Sequence, residues 1–195
     1  MGFLGSLFAK RPHDPAQAMI AWLKKQPPIA RMTVAGWFGP THNAGVVLDW
    51  ILTRPDCDQM TALSTFWEAM QNAPAELAAL RSDPAALTPN LALAKRIAAD
   101  WREGRFILSE YGFDPAQHWS EFAKKLRKYR LKAADFDLPD GIRDPLPGPR
   151  FTLWWPTDKR LENEKSNLIT DITVCDQAIE RPEQWLSVRK KRLGY

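Results

Sequence analysis

The sequence predicts a mainly α protein: a compact multi-helix domain with αα-hairpins and a small two-stranded β element near the C-terminus. Three observations predict it. Apolar residues recur at spacings of three and four through most of the chain, as in Met60, Leu63, Phe66, Trp67 and Met70. The triplet Asp-Pro-Ala, a helix-start signature, occurs three times, beginning at Asp14, Asp83 and Asp114. β-branched and aromatic residues cluster only late, at 151–155 and 168–174, where two strands are expected. At 195 residues, 45% of them hydrophobic, with nine tryptophans and nine phenylalanines, the chain has enough apolar mass for one core. Residues 1–134 are expected to form the helical domain. Residues 135–195 are expected to pack on it as a Pro-rich strap, a short β-hairpin and a C-terminal helix.

The elements follow in order. Met1–Arg11 places Phe3, Leu4, Leu7 and Phe8 at helical spacing, and its charges Lys10 and Arg11 follow the apolar run. A secretory signal carries its charge first, so a short docking helix is the expectation here rather than a leader. Gly2 and Ser6 formally fit a myristoylation pattern. Helices are expected from residue 15, over 28–38, and over 44–54 up to Pro55. Further helices are expected over 59–72, briefly from 84 until Pro89, over 90–103, and from 115. In each Asp-Pro-Ala start, Asp accepts from an orphan first-turn amide, and Pro lacks only an N–H that had no partner. Pro139, Pro145, Pro147 and Pro149 mark 135–149 as a strap, and a final helix is expected near Pro182.

One joint carries more information. In Pro55-Asp56-Cys57-Asp58-Gln59-Met60-Thr61-Ala62-Leu63, Pro55 stops one helix and Asp58 caps the next. Cys57 fits a packed corner, Ala62 permits close approach, and Leu63, Phe66 and Trp67 fill a core. This reads as an αα-hairpin joint. The Pro-x-Cys-Asp turn, the following Thr61-Ala62-Leu63 and the Phe66-Trp67 pair resemble the bacterial-rich family called domain of unknown function 4274, over about residues 43–70. The resemblance implies a helical module and a bacterial source, and carries no activity with it. Pro55, Cys57, Asp58, Thr61, Ala62, Leu63, Phe66 and Trp67 are read as structural.

Catalytic and metal chemistry find little support. The histidines His13, His42 and His118 have no partner at zinc-ligand spacing, and no nucleotide-binding or nucleophile-elbow motif occurs. Cys57 lies between Asp56 and Asp58, whose charges oppose a thiolate. No cofactor and no metal are expected. Two cysteines, Cys57 and Cys175, make no disulfide framework, which points to a cytoplasmic location, and no stretch is long and apolar enough to span a membrane.

Charge is uneven. Residues 1–134 hold 17 basic and 12 acidic side chains, whereas 135–183 hold 6 and 11. The densest basic run is Lys124, Lys125, Arg127, Lys128, Arg130 and Lys132. Lys124, Lys128 and Lys132 stack at i, i+4 steps opposite an apolar stripe of Trp119, Phe122, Leu126 and Tyr129. Three accounts are open: a plainly solvated face, cover by the acidic 135–183 segment, or docking of an acidic protein partner. A net charge of +4 without a reader motif argues against nucleic acid. The expected function is a non-catalytic protein-binding module, with immunity or accessory work beside a bacterial toxin or secretion system as the setting. The alternative is an enzyme whose site is assembled from His42, Cys57, Asp58 and His118. Oligomeric state is not legible.

Overall fold

The structure, a computed structural model, describes residues 14–151 and 158–180. Among them run seven α-helices: α1 (Pro15–Leu23), α2 (Pro28–Ala35), α3 (His42–Leu52), α4 (Gln59–Ser82), α5 (Pro89–Arg102), α6 (Ala116–Tyr129) and α7 (Lys159–Glu180). A single 3-10 turn, Ala133–Phe136, opens the strap. The long α4 packs on α5 and α6, while α1, α3 and α7 pack on one another, and α2 touches both α3 and α4.

The three Asp-Pro-Ala sites have different outcomes. Asp14 caps α1, accepting from the Gln17 amide at 3.0 Å. Asp114 accepts from Ala116 N at 2.9 Å just ahead of α6. Asp83 makes the same local bond, to Ala85 N, yet only a turn follows, and the expected helix at 84 does not form. Pro89 leaves too few residues there to offset nucleation, and it becomes the first residue of α5 instead.

Helix α4 runs past the expected end at 72 to Ser82, with Pro74 buried inside it. A proline there removes one ladder bond and crowds the preceding turn, a cost of about 3 kcal/mol. Helix α6 packs against the turn that precedes Pro74. Its Lys125 ammonium donates to the Gln71 carbonyl, and the Gln71 side chain donates to the carbonyls of Trp67 and His118 at 3.3 and 3.2 Å. The αα-hairpin of the fold is α4–α5, joined by residues 83–88. The Cys57 joint is not one, because α3 and α4 do not lie side by side. The segment after α5 inserts at that joint: Gln59 N donates to Ile107 O at 2.9 Å, and Ile107 N to Cys57 O at 3.0 Å.

No sheet forms among the described residues; three isolated bridges, Asp58–Ile107, Gly112–Arg150 and Phe113–Leu146, are the extended pairings. The strand expected at 168–174 is about two turns inside α7. Leu168, Ile169 and Ile172 stand at i, i+1 and i+4, a helical stripe that packs on the core. The hydroxyls of Thr170 and Thr173 are satisfied by the carbonyls four residues back, at 2.8 and 2.9 Å. Burial of that stripe overrides β propensity. The rest of the expected hairpin (152–155), the apolar N-terminal stripe and the helix near Pro182 lie outside the described residues.

At the centre sits Trp67, fully buried, with Phe66, Trp119 and Phe122 edge-on to its rings at centroid distances of 5.3, 6.0 and 6.1 Å. Its indole N–H donates to the Ile142 carbonyl at 3.0 Å. Phe136 meets Phe122 at 5.1 Å. Through Phe136 and the buried Ile142, the strap is bolted to the core it crosses.

Candidate functional site

The basic face was expected on one helical stripe, and the structure changes its shape. Helix α6 ends at Tyr129, where Arg130 takes a left-handed conformation (φ 55°) and its amide closes on the Arg127 carbonyl. Lys132 therefore stands beyond the helix, and the three-lysine stack does not exist as a helical row. The amide of Lys132 is held by the Asp135 carboxylate at 2.8 Å. Lys124 bonds Glu121 of its own helix at 2.6 Å, which holds the Glu121 carboxyl below its ordinary value. Lys125 turns inward to Gln71. What remains is a cluster of Arg127, Lys128, Arg130 and Lys132, all exposed, around the C-terminal end of α6. None has an ion-pair partner among the described residues. The Lys128 ammonium lies 5.2 Å from the Tyr129 ring centroid. The carbonyl-rich end of the helix favours cations there even without a partner.

Carboxylates of the strap go elsewhere. Asp135 reaches Arg81 of α4 at 3.5 Å, and Asp137 reaches Arg102 of α5 at 3.1 Å. The arginines outside the cluster are largely paired as well: Arg31 and Arg54 with Asp56, Arg96 with Asp49, and Arg105 with Asp100.

The family-like motif is built into the joint and the start of α4. Asp58 accepts from Thr61 N and Thr61 Oγ1, both at 2.9 Å, and starts α4. Thr61, Ala62, Leu63, Phe66 and Trp67 are all buried, while Pro55 is exposed in the turn. Asp56 is clamped between Arg54 (2.7 and 3.2 Å) and Arg31 (2.8 Å). The Arg54 bond, helped by the charges of Arg31 and Arg54, lowers the Asp56 pKa despite partial burial. Cys57 is 4% exposed, and burial first, then the Asp58 charge, pushes its thiol up to about 12. Burial of this kind disfavours the thiolate, the nucleophilic form, near neutrality.

The four residues of the enzymatic alternative do not come together. His42 begins α3, a helix about 16 Å long, and Cys57 lies in the turn beyond its other end. His118 lies near Glu68 of α4 (3.8 Å) and stacks on Phe113. Glu68 is itself about 15 Å along α4 from Asp58. No cluster of three or more His, Cys, Asp or Glu side chains with metal-site geometry occurs among the described residues. No described helix is long and apolar enough to cross a membrane.

Two features had no local signal. The first is a pair of long-range helix caps. Thr88 and Thr41 precede α5 and α3 without making a side-chain cap bond. Glu76 of α4 instead accepts from the amides of Asn90 and Leu91 at 3.2 and 2.7 Å. Asp176 of α7 does the same for Asn43 and Ala44, both at 3.0 Å. The second is a cleft of about 680 Å³ between α2, α4, the start of α6 and the strap. Met32, Met60, Phe113 and Leu146 form its apolar walls, with Asp114, His118 and Arg150 among its polar lining. Comparison of the chain with family models, with curated proteins and with solved structures finds no match.

Proposed function

We propose that this protein is a binding module that engages an acidic protein partner through the cations at the C-terminal end of α6. The observation that carries the reading is selective pairing. Six of the nine described arginines outside the cluster (Arg31, Arg54, Arg81, Arg96, Arg102 and Arg105) are held by carboxylates, and Lys124 by Glu121. Arg127, Lys128, Arg130 and Lys132 are not. The strap, the acidic part of the chain nearest to them, spends Asp135 and Asp137 on α4 and α5. Intramolecular neutralisation, the competing account of this face, thus finds no support among the described residues. The setting in this reading is immunity or accessory work beside a bacterial toxin or secretion system, in the cytoplasm. The resemblance of residues 43–70 to domain of unknown function 4274 supplies the bacterial part of it.

The test uses the full chain and its triple charge reversal, Arg127→Glu, Lys128→Glu and Lys132→Glu, with poly-L-glutamate as the acidic probe. Wild type should bind with an affinity that falls as salt rises, and the reversal should remove both the binding and the salt dependence. The melting temperature should hardly move, because exposed charges contribute little to folding. Tighter binding of duplex DNA than of polyglutamate would replace the reading with a nucleic-acid one.

A further inference from the structure

The cleft between α2, α4 and the strap takes no part in the proposed docking face, and its chemistry is different. Its volume of about 680 Å³ is typical of pockets that hold a small organic molecule, roughly 300–1,000 Å³. Four separate segments supply its apolar walls: Met32 from α2, Met60 from α4, Phe113 from the approach to α6, and Leu146 from the strap. Methionine side chains adapt to irregular apolar shapes, so two of them facing one cleft suit a ligand with a flexible or aromatic body.

Two opposite charges share this lining. Among the described residues Arg150 makes no ion pair, and Asp114 commits only one carboxylate oxygen, to the Ala116 amide. They do not pair with each other either, so their charged atoms stand more than 4.0 Å apart, and both residues belong to the lining of the cleft. A simple anion entering here would meet Asp114 unscreened, and a simple cation would meet Arg150. A molecule carrying both charges satisfies both groups.

We propose that the cleft binds a small zwitterion with an apolar body, of the amino-acid or dipeptide class. Its carboxylate is held by Arg150, its ammonium by Asp114, and its side chain lies against Met32, Met60 and Phe113. Guanidinium pairs well with a carboxylate through two parallel N–H donors. The wall at Gly36 gives an independent handle. A Cβ there would meet only carbonyl oxygens at 3.7 and 3.9 Å, and the backbone at φ −70° accepts any side chain. Gly36→Leu therefore adds bulk at the cleft wall without disturbing the fold.

The experiment is calorimetric titration of the full chain with L-phenylalanine, L-methionine and L-methionyl-L-methionine. Three analogues accompany them: phenylacetate lacks the ammonium, phenethylamine lacks the carboxylate, and N-acetyl-L-phenylalaninamide lacks both charges. At least one zwitterion should bind, and removing either charge should weaken it about tenfold or more, as loss of a charge-assisted bond does. Arg150→Ala should erase the preference for the carboxylate. Asp114→Asn should erase the preference for the ammonium while keeping the helix cap, since Asn caps as well as Asp. Gly36→Leu should abolish binding at an unchanged melting temperature. The proposal is overturned if no zwitterion binds into the millimolar range, or if the neutral analogue or phenylacetate binds as tightly as L-phenylalanine. Undiminished binding by folded Gly36→Leu would equally overturn it. None of these outcomes touches the basic face, so the two readings fail separately.

Discussion

Trp67 has no exposed surface, and its N–H is spent on the Ile142 carbonyl, so replacing it removes packing and strands an acceptor at once. Trp67→Ala should cost roughly 3–5 kcal/mol in chemical denaturation, a large share of a typical domain's stability. Cys57 behaves oppositely in experiment. With its thiol pushed up to about 12, labelling of Cys57 by iodoacetamide in the folded Cys175→Ser protein at neutral pH should be slow and should accelerate only under denaturant. Rapid labelling would show that the joint opens. The clamp on Asp56 predicts a pH effect whose sign follows from the direction of its shift. Its pKa is lowered in the fold, so its stabilisation is complete above the unfolded value of about 3.9 and fades as pH falls through the folded one. Asp56→Asn should flatten the acid limb of the stability curve and leave its slope near neutrality alone. At this scale the sequence was legible wherever chemistry was local. Asp58 as a cap, Cys57 as a corner and Trp67 as core all follow from neighbours a few positions away. Lys125 was not legible, because its partner Gln71 becomes a neighbour only after α4 and α6 have packed.

Helices α3 and α5 start without local caps, and each takes its cap from a carboxylate on another helix. Removing that carboxylate leaves two amides without their protein partner. Glu76→Ala should therefore cost about 1 kcal/mol, the usual value of a lost cap, and amide exchange should rise first at Asn90 and Leu91. If exchange rises evenly along α5 instead, Glu76 is only packing. Element existence was readable from periodicity and from proline, and the starts of α1, α2, α5 and α6 fall within a residue or two of where proline placed them. Three judgements failed for reasons of range. Helix α4 runs on through Pro74, which is buried in the fold, the helix at 84 was too short to nucleate, and 168–174 joined α7 because its apolar stripe found a core.

Across the whole molecule, the strap closes the fold by crossing backbone against backbone. Gly112 and Gly148 meet so closely that a Cβ on Gly112 would lie 2.5 Å from the Gly148 carbonyl oxygen, and Gly148 itself sits at φ +128°. Gly112→Ala should loosen the strap, lower the melting temperature by several degrees and expose Trp67 to acrylamide quenching. A quenching profile like the parent's would mean that the strap is held by Phe136 and Ile142 alone. Neither this crossing nor the cleft beside it was legible: the crossing joins main-chain atoms 36 residues apart, and the cleft collects side chains from four segments that become neighbours only in the fold. The Asp176 cap on α3 has a consequence for the order of events in the cell. It joins positions 133 residues apart, so during synthesis α3 emerges long before the carboxylate that completes it. At about 5–20 residues per second the ribosome needs on the order of ten seconds to cover that distance. For that interval the faces of α1 and α3 that α7 will cover stand open on the nascent chain, a window in which chaperones have something to hold.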